Sequence, residues 1–503
     1  MFDNNYQNEL QNIFFKDINI TFKDMIKISF SLEGFLYSFL NYLALFFQIY
    51  FFSDFENFSL NLYIFIICIL TFKFLCLLTI YFKDKIIFKL NILFTNKKFY
   101  EMGDLFKIGL LILEIINLVY FILKLIIFPL MNYFFISYIK VEYQQNSYNK
   151  IEIFINLNFI TLIFKIINEM FLNIYIMFKA YLIINSNNIS KFIIKLFLCK
   201  FYITNYKEWY FIKGICYSNI ISEIFSLIFL ISSQYIKNYY PQTWSKFKLN
   251  LFKNNILSTF KDLFDIKDFI IKIILEYYDF FFLILYNISY IEYNNYNIIN
   301  FYFTMILFKH LFHGMKGNEI NELMKIYKSL KIGEQDDEYE FSNYDYDTRI
   351  KENKNYEWIQ FIKSKIIGTL ILNIIFCLFF ILFYLFNGYK IINIEESFLI
   401  LIITFGIISI IEFTSKIIIT LYITCFDNQK LFFYLTIGFI GSIIIFYLNY
   451  FLFKNFLLMI IFIYSTYYII FIRFYPEIQK IDLDFITINE LSNEENIEIL
   501  NYN

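Results

Sequence analysis

The sequence predicts an all-α, polytopic transmembrane bundle of roughly nine to eleven spans. Three observations predict it. Apolar runs of roughly 18–25 residues recur along the chain, each long enough to cross about 30 Å of hydrocarbon. Hydrophobic residues fill 59% of the 503 positions, and the mean hydropathy is +0.55, unlike a soluble chain of two or three domains. Polar stretches rich in lysine separate the runs in a pattern that alternates over most of the chain.

The runs fall at 32–52, 60–82, 105–128, 155–184, 209–235, 269–293, 298–313, 364–389, 397–424, 431–452 and 455–473. Residues 1–31 precede the first span without a signal-peptide core, so that span is itself the expected insertion signal. The loop 53–59 is short and acidic, whereas 83–98 holds Lys83, Lys85, Lys89, Lys97 and Lys98. The positive-inside rule therefore puts the amino terminus and 83–98 in the cytoplasm. Loop 185–208, with Lys191, Lys195, Lys200 and Lys207, also fits inside. Segment 237–268 then conflicts: it carries six lysines, yet one crossing at 209–235 places it outside. Either the run 192–203 also crosses, or a helix near 192–235 is half-inserted or re-entrant. Alternation resumes from 269 and returns the acidic tail 474–503 to the cytoplasm.

Residues 314–363 form the largest polar insertion. They begin as an amphipathic helix, "NEINELMKIYKSLKIG", and continue into acidic "GEQDDEYEFSNYDYD". The insertion divides a front region, 32–313, from a four-span rear region, 364–473, and 314–358 is a candidate contact for a protein partner.

Charge excludes one class of ligand. Forty-three basic residues against 44 acidic ones create no field for nucleic acid. Phe, Ile, Asn, Lys and Tyr dominate, as AT-rich coding DNA would produce, so the aromatic excess carries no functional message. The six cysteines (Cys68, Cys76, Cys199, Cys216, Cys377, Cys425) lie apart and read as small core hydrophobes.

Charges inside the apolar runs are the informative feature. A carboxylate at mid-span costs about 2.5–3.5 kcal/mol on insertion scales, so it must face a partner, a cavity or water. The carboxylates are Glu114, Glu169, Glu223, Glu276, Asp279 and Glu412, with Lys73, Lys124, Lys165, Lys179 and Lys416 as partners within reach of the same spans. Glu412 and Lys416 stand four apart in the favourable order for one helix face. Lys165 and Glu169 have the reverse order. Glu114, Glu169 and Glu223 recur about 55 residues apart in successive front spans, a spacing that chance also produces. Structural pairing of helices is the plain reading of each charge alone. A polar track shared by several spans is the reading of the set.

His310 and His313, three apart, could share a metal, but they sit where a span leaves the membrane, and no metal or cofactor is expected. Phosphate-cradling, HExxH and GxSxG motifs are absent, so an enzyme is not expected.

Four stretches in order resemble the XK-related family of membrane proteins, which includes phospholipid scramblases. "YFFSDFENFSLNLYIFIICILTFKFL" (50–75) resembles the family's first hairpin, and "LLTIYFKDK" (77–85) its exit. "YEMGDLFKIG" (100–109) resembles its step into the third span, with Asp104 in place of proline and Lys107 in place of arginine. "NEMFLNIYIMFKAYL" (168–182) resembles its Glu-Ser-x-Pro-Gln helix, with Glu169 and Asn173 at the Glu and Gln positions and Leu172 at the proline. The span 218–235 loosely resembles its Ser-rich helix. Coverage is about residues 32–237.

The resemblance implies a path for lipid headgroups along front-half helices. On that basis the expected function is ATP-independent scrambling of membrane phospholipids. Glu114, Glu169, Asn173 and Glu223 would line the track, Lys107 would stand at its cytoplasmic mouth, and Glu412–Lys416 would form an intramembrane ion pair. An ion channel or solute transporter using the same charges is one alternative. A structural subunit of an organellar membrane complex is another.

Overall fold

A computed structural model describes residues 39–52, 58–95, 98–137, 139–178, 180–206, 211–237, 263–290, 428–452 and 464–478, with isolated positions between them that include 411, 412, 415 and 419. All the described elements are helices: α1 (Leu40–Phe51), α2 (Phe58–Thr95), α3 (Phe99–Ile136), α4 (Val141–Met177), α5 (Tyr181–Tyr206), α6 (Phe211–Lys237), α7 (Ile266–Tyr290), α8 (Asn428–Leu452) and α9 (Ser465–Ile478). Six of them, α2 to α6 and α8, are long and apolar enough to cross a membrane. The chain is an integral, multi-pass helical membrane protein.

Hydrocarbon offers backbone groups no partners, so each span must satisfy its own amides, and helices do so. The 38 residues of α2 rise roughly 57 Å at 1.5 Å per residue, well beyond the hydrocarbon. Its apolar window ends at Leu75, and the polar continuation carries Lys83, Asp84 and Lys85. α3 turns the soluble-protein pattern outward: Leu118, Ile122, Leu125, Ile126 and Tyr133 are all more than half exposed, a belt suited to acyl chains.

Helices α1 to α6 pack as one bundle and α7, α8 and α9 as a second. Antiparallel neighbours meet through α2–α3 and α5–α6, while α4 lies parallel to both α2 and α6. Tyr175 of α4 donates its hydroxyl to the Leu230 carbonyl of α6 at 2.7 Å, and Asn168 reaches Glu223 fifty-five residues on. Tyr120 of α3 donates to the Ile155 carbonyl of α4 at 2.9 Å, so α3 and α4 run in opposite directions. Phe52 closes the outer end where α1, α2 and α6 meet, with ring centroids 5.7 Å from Phe65 and 5.1 Å from Phe211.

The second bundle is tied to the first at the start of α7. The Tyr81 hydroxyl of α2 accepts the Asp265 amide at 3.0 Å and lies 3.2 Å from the Leu263 carbonyl. Lys85 forms an ion pair with Asp268 in the first turn of α7. There an acidic residue also suits the positive helix end.

The run 192–203 lies inside α5, one continuous helix of 26 residues that is long and apolar enough to cross, in keeping with the alternative that this run is part of a span. Two sequence-based expectations change here. The predicted span 155–184 breaks at 178–180, where the Ala180 amide bonds to the Tyr175 carbonyl at 2.9 Å. Neither glycine nor proline marks that turn. The cluster Asn185, Ser186, Asn187, Asn188 looks like loop composition but occupies the first turns of α5, with Asn187 and Asn188 buried against the bundle. The predicted spans 298–313, 364–389 and 397–424, the insertion 314–363 with His310 and His313, and the tail all lie largely or wholly outside the described residues. Cys68, Cys76, Cys199 and Cys216 are buried and free.

Helix contact depends on a missing side chain at Gly109, Gly214 and Gly438 but not at Gly441. A Cβ on Gly109 of α3 would sit 2.7 Å from Ile86 Cγ2 of α2, whereas one on Gly441 of α8 would meet nothing within 4 Å. Gly109→Ala is expected to lower the melting temperature of the detergent-solubilised protein, at a cost of about 1 kcal/mol or more from overpacking. Gly441→Ala is expected to leave it unchanged or raise it, because alanine favours helix by about 0.5–1 kcal/mol. Equal melting temperatures for the two variants would refute this packing account.

Candidate functional site

Two buried polar clusters stand out, one in each bundle. The front cluster gathers where α2, α4, α5 and α6 meet. Glu223 of α6 is 5% exposed and receives Lys191 of α5 at 2.7 Å. Asn168 of α4 donates to its Oε2 at 2.8 Å and to its backbone carbonyl at 2.9 Å. One position along α4, Glu169 turns the other way, to Lys83 of α2 at 2.6 Å. Lys165 stands 3.9 Å from Glu169 across one helical turn, as its i,i+4 spacing requires. Burial disfavours the Lys83 ammonium, but the Glu169 and Asp84 carboxylates outweigh it and hold its pKa above the ordinary lysine range. Both carboxylates thus carry an ammonium partner, which the cost of burying an unpaired charge demands.

Glu114 takes no part in this. On α3 its Oε2 accepts a 3.4 Å bond from Asn117, Asn117 accepts the Thr79 hydroxyl of α2 at 3.2 Å, and Oε1 has no hydrogen-bond donor. The 55-residue recurrence therefore has two different origins. Between Glu169 and Glu223 it reflects the parallel register of α4 on α6. Between Glu114 and Glu169 it reflects nothing spatial, because α3 and α4 are antiparallel. Asn173 is buried, and its amide nitrogen lacks an acceptor. Lys107 lies 3.7 Å from Asp104 one turn earlier. Lys124 donates to Asn156 at 2.7 Å and stands 3.6 Å from Glu152.

The rear cluster centres on Tyr278 of α7. Its hydroxyl lies 3.0 Å from Ser442 Oγ of α8 and 3.2 Å from Thr466 Oγ1 of α9, and Thr466 passes its proton to the Gly438 carbonyl at 2.9 Å. Asp279, 3% exposed, accepts the hydroxyl of Tyr464. Glu412 is fully buried, and both it and Asp279 lie close enough to Tyr278 to act on its hydroxyl electrostatically. Ser415, one turn from Glu412, donates to either the Ile411 or the Tyr467 carbonyl, at 2.7 and 2.6 Å. One carboxylate, a tyrosine hub and three further hydroxyls thus share one buried network, with the buried Glu412 nearby. The hydroxyl partners Ser442, Tyr464 and Thr466 escape sequence reasoning because small hydroxyls inside apolar runs look like ordinary span composition. Lys416 and the side chain of Glu276 lie outside the described residues, so the Glu412–Lys416 pair does too.

No protein-family model and no curated protein matches the chain. Among solved structures it is similar to the crystal structure of the eukaryotic MATE transporter AtDTX14, with a TM-score of 0.63 over 93% of this chain and 95% of that chain, at 11% identity. That likeness shows the fold and corrects the expected kinship. The chain does not have the XK-related character its front-half motifs resemble; its fold is that of the MATE transporter along nearly its whole length. The four matched stretches are short aromatic and acidic patterns of a kind that composition alone generates in a Phe- and Tyr-rich membrane chain.

The front cluster makes a stability prediction. Glu223→Gln leaves Lys191 buried without its counter-ion, and a loss of about 3–5 kcal/mol is expected, read as a lower melting temperature in detergent. Lys191→Met/Glu223→Leu, which removes both charges, is expected to recover most of it. A double variant as unstable as the single one would show that the pair is not the source.

Proposed function

We propose that this protein is a multi-pass transporter of small solutes, not an enzyme, in which the rear carboxylates Asp279 and Glu412 take up a proton or small cation that drives the transport cycle. The observation that carries the reading is the fold shared with a MATE transporter over nearly the full length of both chains. The rear cluster supports it. Buried carboxylates inside a helical membrane bundle favour the uptake of a proton or cation, because an unpaired charge there is costly. Asp279 sits on α7, while its hydroxyl partner Tyr464 precedes α9 and the Tyr278 partners lie on α8 and α9. Neutralising Asp279 weakens a charge-assisted hydrogen bond between elements of the bundle. Ion uptake would thereby change how α7, α8 and α9 pack, which is what a coupled transporter requires of its ion site.

The lysine pattern supports an orientation. With α5 as a full span, the four helices α3 to α6 separate 83–98 from the lysine-rich 238–265, so the two fall on the same side. By the positive-inside rule that side is the cytoplasm, a reading under which the lysines of 238–265 no longer conflict with those of 83–98.

Purified protein in liposomes is expected to show ion-gradient-driven flux of a solute from a panel of organic ions. Asp279→Asn and Glu412→Gln are each expected to reduce gradient-driven flux at least tenfold, about 1.4 kcal/mol or more in coupling, while both variants still insert and fold. Gradient-driven flux unchanged in both variants would remove these carboxylates from the mechanism. Equilibration of headgroup-labelled lipid without solute flux would instead return the scrambling reading.

A further inference from the structure

The end of α2 is anchored on two opposite faces. Tyr81 and Lys85 stand four apart and share one face, while Lys83 between them lies about 200° round the helix. Lys83 pairs with Glu169 of α4 at 2.6 Å, which fixes this end inside the front bundle. Tyr81 and Lys85 instead meet residues 263–269, where the chain enters α7.

Three kinds of contact build that joint. The Tyr81 hydroxyl accepts the Asp265 amide at 3.0 Å and donates to the carbonyl of Leu263 or Asp265, at 3.2 and 3.1 Å. Asp265 is also the cap of α7: its side chain accepts the Lys267 amide at 2.8 Å, and its carbonyl the Phe269 amide at 2.9 Å. Rings close around the hydroxyl. Phe264 stacks on Phe82 with centroids 5.9 Å apart and planes at 13°, and Phe269 meets Tyr81 edge to face at 5.2 Å. Lys85 pairs with Asp268 and lies 5.9 Å from the Tyr81 ring centroid. Parting the bundles here would strip the cap amide of its acceptor and bring Phe82 and Tyr81, 0% and 2% exposed, out of burial. The hydroxyl grips main-chain groups of a helix cap, so letting go would also loosen the first turn of α7.

We propose that this α2–α7 joint is a fixed pivot: it stays closed through the conformational cycle, and the rear bundle turns about it. Asp279 lies 11 residues beyond Asp268 on α7, roughly 16 Å along the helix axis. A rearrangement at the rear cluster then swings the middle of α7 about a start that does not move. The pivot's part in transport rests on the transporter reading; its permanence does not, and the two are measured separately.

The test places the full-length Lys85→Cys/Asp268→Cys variant in liposomes and bridges the pair with a short bis-methanethiosulfonate reagent. Wild type treated alike is the control for the native cysteines. Bridging, read by intact mass, is expected at the same rate within about twofold with and without a proton gradient. Gradient-driven flux in the bridged protein is expected to stay within about twofold of the unbridged sample. Tyr81→Phe keeps the ring but takes the acceptor from the Asp265 amide. Deuterium exchange at 263–269 is expected to rise about tenfold in it, with α4 to α6 unchanged. Flux that falls about tenfold on bridging and returns with a reducing agent would make the joint a gate and overturn the proposal. A pair that does not bridge, bridging that slows about tenfold under the gradient, or exchange unchanged in Tyr81→Phe would overturn it too. If wild type carries no solute at all, the transporter reading fails, and bridging rate and exchange still decide the joint.

Discussion

The contact in which Asn168 of α4 and Lys191 of α5 converge on Glu223 of α6 holds the front bundle in register. Packing of Leu, Ile and Phe alone specifies register poorly in a membrane, because lipid tails are as apolar as the side chains and nothing penalises a slipped helix. A buried carboxylate is different: a shift by one turn would strip it of its ammonium and its amide together. α5 against α6 and α4 against α6 are therefore set by one charge. Lys83–Glu169 does the same for α2 against α4, so four of the six front helices are referenced to two carboxylates.

The rear bundle solves the same problem with hydroxyls. Tyr278, Tyr464, Ser442 and Thr466 link α7, α8 and α9 through neutral or singly charged hydrogen bonds. Such links cost less to rearrange than a salt bridge, because no bare charge is left behind when a hydroxyl changes partner. The carboxylates Asp279 and Glu412 lie in this softer setting, away from the salt bridges of the front bundle, which is the physical ground for the ion site proposed there. The two bundles touch through Tyr81, Lys85 and the start of α7.

Much of the candidate site was readable as residues but not as partnerships. Every described carboxylate in these clusters was marked by its place in an apolar run. Which lysine each one meets depended on helix direction. Glu169 and Glu223 keep a 54-residue spacing because parallel helices preserve sequence offset, whereas antiparallel α3 turns the equal spacing of Glu114 into a coincidence. The polar residues 185–188 misled for a related reason: Asn and Ser favour loops in water, yet inside a bundle they are the groups that can bond across it. The motif matches of the front half were weaker still, since short aromatic and acidic patterns recur in any chain of this composition.

The sequence by itself determined the class of molecule, because runs of apolar residues of this length have no stable home but a membrane and no satisfied backbone there but a helix. It also determined that a few charges must be functional or paired, since hydrocarbon makes each of them expensive. Only the tertiary structure decided that α5 is one continuous helix, that Glu223 and Glu169 face different lysines, and that Asp279 and its neighbour Tyr278 meet hydroxyls of α8 and the start of α9. Those outcomes rest on helix direction and rotation. A uniformly apolar span leaves both open until neighbouring side chains from distant parts of the chain come into contact.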